Sequence, residues 1–139
     1  MTTPYRVRWA GGLRFIGSTA KGHSTVMDGD SEVAMTPMDM LLLGTGACAA
    51  IDLVMILKKG REQLVHAEVE LRGERRDEMP RYFTGVKLHF VVSGRALSPA
   101  KVERAIALAM EKYCSASAQL AALADIQTSF EILEAELPE

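Results

Sequence analysis

The sequence predicts an α+β domain in which antiparallel sheets wrap around one long central helix, with elements in the order βββ-α-ββ-α-α-β. Three observations predict it. A nearly uncharged stretch from Met40 to Leu57 is framed by helix start and stop signals. Apolar and polar residues alternate with a period of two on both sides of that stretch. No βαβ alternation is sustained, which points to antiparallel rather than parallel pairing. The 139 residues suit a single domain over the whole chain, 1–139, with 1–35 as an N-terminal meander.

The elements follow in order. Tyr5, Val7 and Trp9 alternate with Arg6 and Arg8 as a half-buried strand, and Gly11-Gly12 signals a hairpin. Leu13 to Ser18 and His23 to Met27 supply two more strands, and Asp28-Gly29-Asp30 is a turn. Three short strands bury little by themselves, so this meander must pack on something else. Ser31 to Met35 leads into the helix. Thr36 is an N-cap, Pro37 suits the first helical position, and Asp39 sits where a capping box places an acid. Lys58 and Lys59 suit the last turn, and Gly60 suits the left-handed position beyond it. A helix apolar on nearly all sides must be covered on all sides, by sheet or by a second subunit.

Beyond the helix, Val65, Ala67, Val69 and Leu71 are expected on one face of a strand, with His66, Glu68, Glu70 and Arg72 on the other. Arg75 to Pro80 forms a charged turn, and Val86, Leu88, Phe90 and Val92 alternate along the next strand. Ser98-Pro99 opens a second helix whose apolar stripe is Val102, Ile106, Met110 and Tyr113. Ala118 to Ala124 is a further short helix and Thr128 to Leu133 a last strand.

A formal net charge of −2 and a pI near 5.9 argue against a nucleic-acid surface. The polar N-terminus MTTPYRVRW lacks the apolar core of a signal peptide, so a cytoplasmic location is expected. About 20 apolar residues could cross a bilayer. Gly44, Thr45, Gly46 and the charge on Asp52 argue for a buried helix and no membrane role. Cys48 and Cys114 are far apart, and His23, His66 and His89 are scattered without CxxC or HxxxH spacing. That is a poor zinc set, and no metal is expected.

Two readings of the thiols stay open from the residues alone. Cysteine is among the most buried residue types and needs no chemistry in a core. Alternatively the two form a redox pair in which one thiol is oxidised to sulfenic acid and the other condenses on it. The second reading needs the two Cα atoms within about 7 Å.

The chain resembles the OsmC/Ohr family of thiol-dependent hydroperoxide reductases, particularly its YhfA-like branch. The resemblance rests on TPMDMLLLGTGACAAIDLVMILKKGR around Cys48, ERRDEMPRYFTGVKLHFVVSG in the second sheet, and EKYCSASAQL around Cys114, and runs over nearly the whole chain. It implies an intertwined homodimer, with the N-terminal strands joining the partner's sheet and the long helices packed centrally. It implies that Cys48 is peroxidatic and Cys114 resolving, joined by an intramolecular disulfide during turnover. It implies no bound cofactor, a small apolar hydroperoxide as substrate, and an external dithiol of lipoyl type as reductant.

A free cysteine titrates near 8.5 and burial raises it, so the resemblance also calls for a cation beside Cys48. In the family an arginine directly follows the glycine pair. Here Leu13 intervenes and Arg14 is the candidate, with a solvated strand charge as its alternative. Asp39 fills the slot next to the family's orienting acid, or is simply a cap, since nine residues place it roughly opposite Cys48 on the helix. Asp52 lies one turn after Cys48 on the same face, where an anion opposes a thiolate unless it holds a cation or a proton. A runner-up function from another class is a non-catalytic dimer that binds a small apolar ligand between the long helices, lined by Met35, Met38, Met40 and Met55.

Overall fold

The computed structural model describes residues 3–136. The chain forms two compact units, divided between Leu41 and Leu42.

The N-terminal unit is an antiparallel meander of β1 (Arg6–Trp9), β2 (Arg14–Ser18) and β3 (Ser24–Asp28). Trp9 pairs with Phe15, and Phe15 with Met27. Every residue of β1 is exposed, Val7 and Trp9 by 66% and 70%, so three strands alone do not supply a buried face. The chain leaves β3 through a loop organised by Asp28, whose buried carboxylate accepts hydrogen bonds from the backbone N–H groups of Asp30, Glu32 and Val33.

The helix α1 (Pro37–Lys59) starts in this unit and runs on into the second. Its capping box is complete: Asp39 N–H donates to Thr36 Oγ1 at 3.1 Å, and Thr36 N–H donates to Asp39 Oδ2 at 3.0 Å. The stop differs by one residue from the sequence expectation. Arg61, not Gly60, takes the left-handed conformation, with φ of 62°. The reason is that Glu62 N–H reaches back to Leu57 O at 3.0 Å, which closes the turn around Arg61.

The C-terminal unit holds a second sheet of β4 (Gln63–Arg75), β5 (Phe83–Arg95) and β6 (Asp125–Glu134), in the order β4-β5-β6. This sheet is mixed, which corrects the all-antiparallel expectation. β4 and β5 are antiparallel, but β6 runs parallel to β5 in register from Gly85↔Asp125 to Gly94↔Glu134. The segment between them contains α2 (Pro99–Leu108) and α3 (Ser115–Leu120), long enough to carry the chain back to the starting end of β5. A βαβ unit was therefore present, hidden because its crossover holds two helices rather than one.

A register shift between Leu64 and His66 makes Val65 the extra residue of a bulge. Val65 is 53% exposed, while Ala67, Val69 and Leu71 keep the expected face. Along β5 the expected alternation holds, with Val86, Leu88, Phe90 and Val92 buried. Ser98 caps α2 by accepting from Lys101 N–H. After Leu108 the helix widens into one π-turn (Ala109–Tyr113), so the predicted stripe breaks and Tyr113 faces out at 50% exposure. The following helix begins at Ser115, earlier than expected, because Cys114 is its N-cap.

The core of this unit gathers Ala49, Leu53 and Leu57 of α1, the buried residues of β5, and Val102, Ala105, Ile106 and Ala109. α1 presses closely on β4. A Cβ on Gly46 would stand 3.2 Å from Leu71 Cγ and Cδ2, and nearer still to Cδ1. The helix is not covered all round, however: Leu43, Ile51 and Met55 are about half exposed or more.

Candidate functional site

Cys48 and Asp52 stand one turn apart on α1, at the margin of its buried stripe, and both are half-buried. Cys114 comes from the other end of the unit. It ends the π-turn, with its N–H donating to Ala109 O at 2.7 Å, and serves as N-cap of α3. The Sγ atoms of Cys48 and Cys114 and a carboxylate oxygen of Asp52 all lie within 4.8 Å of one another. The redox-pair reading needed this meeting, and the separation along the chain could not supply it. Both cysteines are free thiols.

The surroundings of the two sulfurs differ. Cys114 is buried, 3% exposed. Its Sγ accepts from Ser117 Oγ at 2.9 Å and from Ser117 N–H at 3.4 Å, and its S–H points to the Thr45 carbonyl oxygen at 3.9 Å. Burial pushes this thiol above the ordinary value of about 9. The two hydrogen bonds from Ser117 pull the other way, and the nearby Cys48 adds to the rise. Cys48 has the more open position. Asp52 brings one further feature: its Oδ2 is buried with no hydrogen-bond donor among the described residues. A buried acceptor left unmet costs about 1–3 kcal/mol, and a charged one costs more.

A cleft of about 630 Å³ lies beside α2 and α3; Cys48, Asp52 and Cys114 are not among its lining residues. Ile106, Met110 and Phe130 line it together with Glu103, Glu111 and Ser117, the last being the residue whose hydroxyl holds the Cys114 sulfur. Ser117 was not singled out from the sequence. Capping geometry accounts for the Ser117 N–H bond to Cys114 Sγ, which any non-proline residue would supply; the hydroxyl bond had no sequence signal.

The other two sequence candidates have partners within the N-terminal unit. Arg14 lies 3.7 Å from Asp28 and 3.6 Å from Glu32. Asp39 closes the capping box of α1. The expectation against metal rested on counting thiols and imidazoles by spacing, and did not include a carboxylate donor. Cys48, Asp52 and Cys114 nonetheless form a set of three possible ligands.

Fold and site together define a class: an α+β protein that sets a thiol on a long apolar helix against a second thiol at the cap of a short one. The chain belongs to the OsmC-like protein family, whose model matches residues 28–129. It is 49% identical over 131 residues to Protein YhfA of Escherichia coli strain K12, covering 94% of this chain and 98% of that one. A hypothetical protein from Aquifex aeolicus VF5 superposes with a TM-score of 0.87 at 25% identity, covering 98% of this chain and 99% of the other. An organic hydroperoxide resistance protein, OsmC, from Legionella pneumophila shares the fold at a TM-score of 0.70 and 20% identity, over 93% and 97% of the two chains.

Proposed function

We propose that this protein reduces organic hydroperoxides, with Cys48 as the attacking thiol and Cys114 as the resolving one, and that it works as a cytoplasmic homodimer. The observation that carries the reading is the approach of the two sulfurs to within 4.8 Å. Membership of the OsmC-like family supports it, and so does the name of the Legionella relative.

The division of labour follows from access. Cys48 is the more exposed sulfur and meets the substrate. Its thiolate forms an S–O bond as the O–O bond breaks; the sulfur is oxidised to sulfenic acid, and the alkoxide takes a proton and leaves as alcohol. Cys114 then attacks the sulfenic sulfur. The S–S bond forms, the S–O bond breaks, and hydroxide departs with the Cys114 proton as water. A buried thiol that stays protonated until this step has that proton to give. An external dithiol then supplies two electrons and two protons, restores both thiols and leaves as its own disulfide. Arg14 is held by Asp28 and Glu32, and Asp39 by the helix cap, within one chain; in the homodimer Arg14 remains the candidate cation for Cys48 and Asp39 its candidate orienting acid.

The dimer is supported by the apolar side chains that a single chain leaves uncovered, Leu43, Ile51 and Met55 on α1 among them. α1 is also long and apolar enough to cross a membrane by length and composition, with a mean hydropathy of 2.2. A partner subunit covers the same residues without placing Asp52 in lipid.

The test is a thiol count. One equivalent of an organic hydroperoxide added to the reduced protein should remove two thiols per chain, with a Cys48–Cys114 link by peptide mass. Cys114→Ser should stop at a sulfenic acid that a dimedone-type reagent traps. Unchanged thiols at stoichiometric peroxide would overturn the proposal and leave a dimer that binds an apolar ligand. So would Cys48→Ser consuming peroxide at the wild-type rate.

A further inference from the structure

The same cluster has a property that peroxide chemistry does not use. We propose that the reduced protein binds one divalent cation of the zinc class on Cys48 Sγ, Cys114 Sγ and the Asp52 carboxylate. Two observations carry this. The three donor atoms lie within 4.8 Å of one another, on two elements that are themselves fixed: α1, and the π-turn with the cap of α3. Independently, Asp52 Oδ2 is a buried acceptor with no donor among the described residues. Such an atom calls for an ion or a water.

The dimensions fit. With Zn–S near 2.3 Å and Zn–O near 2.0 Å, tetrahedral ligands stand about 3.8 Å apart for S···S and about 3.5 Å for S···O. Donors at most 4.8 Å apart reach those distances when each pair closes by at most about 1.0 Å (S···S) or about 1.3 Å (S···O). The i, i+4 spacing of Cys48 and Asp52 lets one helix face give two ligands to one ion. Two sulfurs and one carboxylate are a donor set for zinc-class ions and a poor one for magnesium or calcium.

Binding displaces the two thiol protons, so the centre holds two thiolates and a carboxylate around a 2+ ion, a net charge of −1. No oxidation state changes. The consequence is mutual exclusion. A Cys48–Cys114 disulfide removes both sulfur donors and leaves only Asp52, so oxidation empties the site, and a bound ion holds both thiols away from oxidants. The ion thus acts as a reversible guard on the thiol pair.

The experiment uses Co²⁺ as a spectroscopic stand-in for Zn²⁺. Reduced, metal-free full-length protein is titrated anaerobically with Co²⁺, then with Zn²⁺. The expected result is one Co²⁺ per chain with sulfur-to-cobalt charge-transfer absorption, displaced by one equivalent of Zn²⁺ and absent from the diamide-oxidised disulfide form. Cys48→Ser and Cys114→Ser should each lose that absorption. Asp52→Asn should weaken binding by at least about tenfold, since even an outer-shell partner of a metal ligand is worth about 10–100-fold. Each variant's far-ultraviolet circular dichroism establishes that it is folded, and the oxidised wild type tests the sulfur requirement without any substitution. Lack of charge-transfer absorption in the reduced wild type overturns the proposal. So does Co²⁺ affinity that is unchanged in Asp52→Asn or in the disulfide form. The thiol count with hydroperoxide is made on metal-free protein, so either proposal can fail without the other.

Discussion

Gly46 offers a test in which two effects of similar size oppose each other. It is buried inside α1, two residues before Cys48. Replacing glycine with alanine in a helix interior gains about 1 kcal/mol from propensity alone. Here the new methyl would meet Leu71 of β4, whose Cγ and Cδ2 stand 3.2 Å from the ideal Cβ position and whose Cδ1 stands closer still. Leu71 cannot simply swing away, because it is half-buried and paired with the fully buried Leu88 across the sheet. Overpacking of this kind costs about 1–3 kcal/mol. The clash should therefore win, and Gly46→Ala should destabilise by about 1 kcal/mol net, within a range of about 0–2. Adding Leu71→Ala removes the obstacle, so in that background the same Gly46→Ala change should stabilise by about 1 kcal/mol. Urea unfolding of the four proteins followed by circular dichroism gives the coupling energy directly. Equal stabilisation by Gly46→Ala in both backgrounds would refute the close approach of α1 to β4.

Two further predictions concern pH. The backbone N–H groups of Val33 and Asp30, then that of Glu32 and the Arg14 guanidinium, hold the Asp28 carboxyl below its usual 3.8 against the upward push of burial. A depressed folded value gives stability that is present above the unfolded value and lost as pH falls through the folded one. Trp9 is the chain's one tryptophan and lies in the same meander, so its fluorescence should report an acid transition below pH 3.8 that is much reduced in Asp28→Asn. An unchanged acid limb in that variant would refute the role of Asp28. For Cys114 the sign is opposite: burial raises the thiol above 9.0, so its stabilising contribution is intact below that value and is lost as pH climbs through the raised one. Thiolate absorbance in Cys48→Ser should accordingly appear only on the alkaline side of 9, and Ser117→Ala should move it further up by removing both the hydroxyl and its hold on the thiolate. Titration of Cys114 near neutral pH would contradict this.

The long helix could be read from its ends. Thr36, Pro37, Asp39 and the paired lysines are local signals, and local signals survive folding. The strands of the second sheet were legible for the same reason: period-two alternation is a property of neighbours. What escaped the sequence was non-local. The parallel pairing of β6 with β5 depends on where the crossover returns, and that is set by two short helices and a π-turn. The bulge at Val65 shifts the face of one residue without altering composition. At the site, helix spacing already put Cys48 and Asp52 on one face and the resemblance implied Cys114 as the second thiol; their contact depends on the packing of α1 against the α3 cap. Ser117 was missed because its partner is a sulfur, which caps helices less often than an oxygen does.

The expectation that α1 would be covered on all sides separates what one chain can bury from what it cannot. Thr45, Gly46, Ala49, Leu53 and Leu57 form a stripe that the chain's own sheet and helices cover. Leu43, Ile51 and Met55 fall outside that stripe. Cys48 and Asp52 lie between the two sets, at the edge of what the chain covers by itself. A reactive sulfur belongs at such an edge. Deeper in, as at Cys114, burial suppresses the thiolate and closes the path for substrate; fully outside, nothing would keep a second thiol or a cation beside it. Whatever covers the outer stripe of α1 will therefore set how far Cys48 is open to solvent. If the cover is the partner subunit proposed above, dilution that separates the subunits should change the alkylation rate of Cys48 and leave that of Cys114 nearly unchanged. Equal changes at both sulfurs would mean that the second thiol also depends on the covering surface, contrary to its 3% exposure within a single chain.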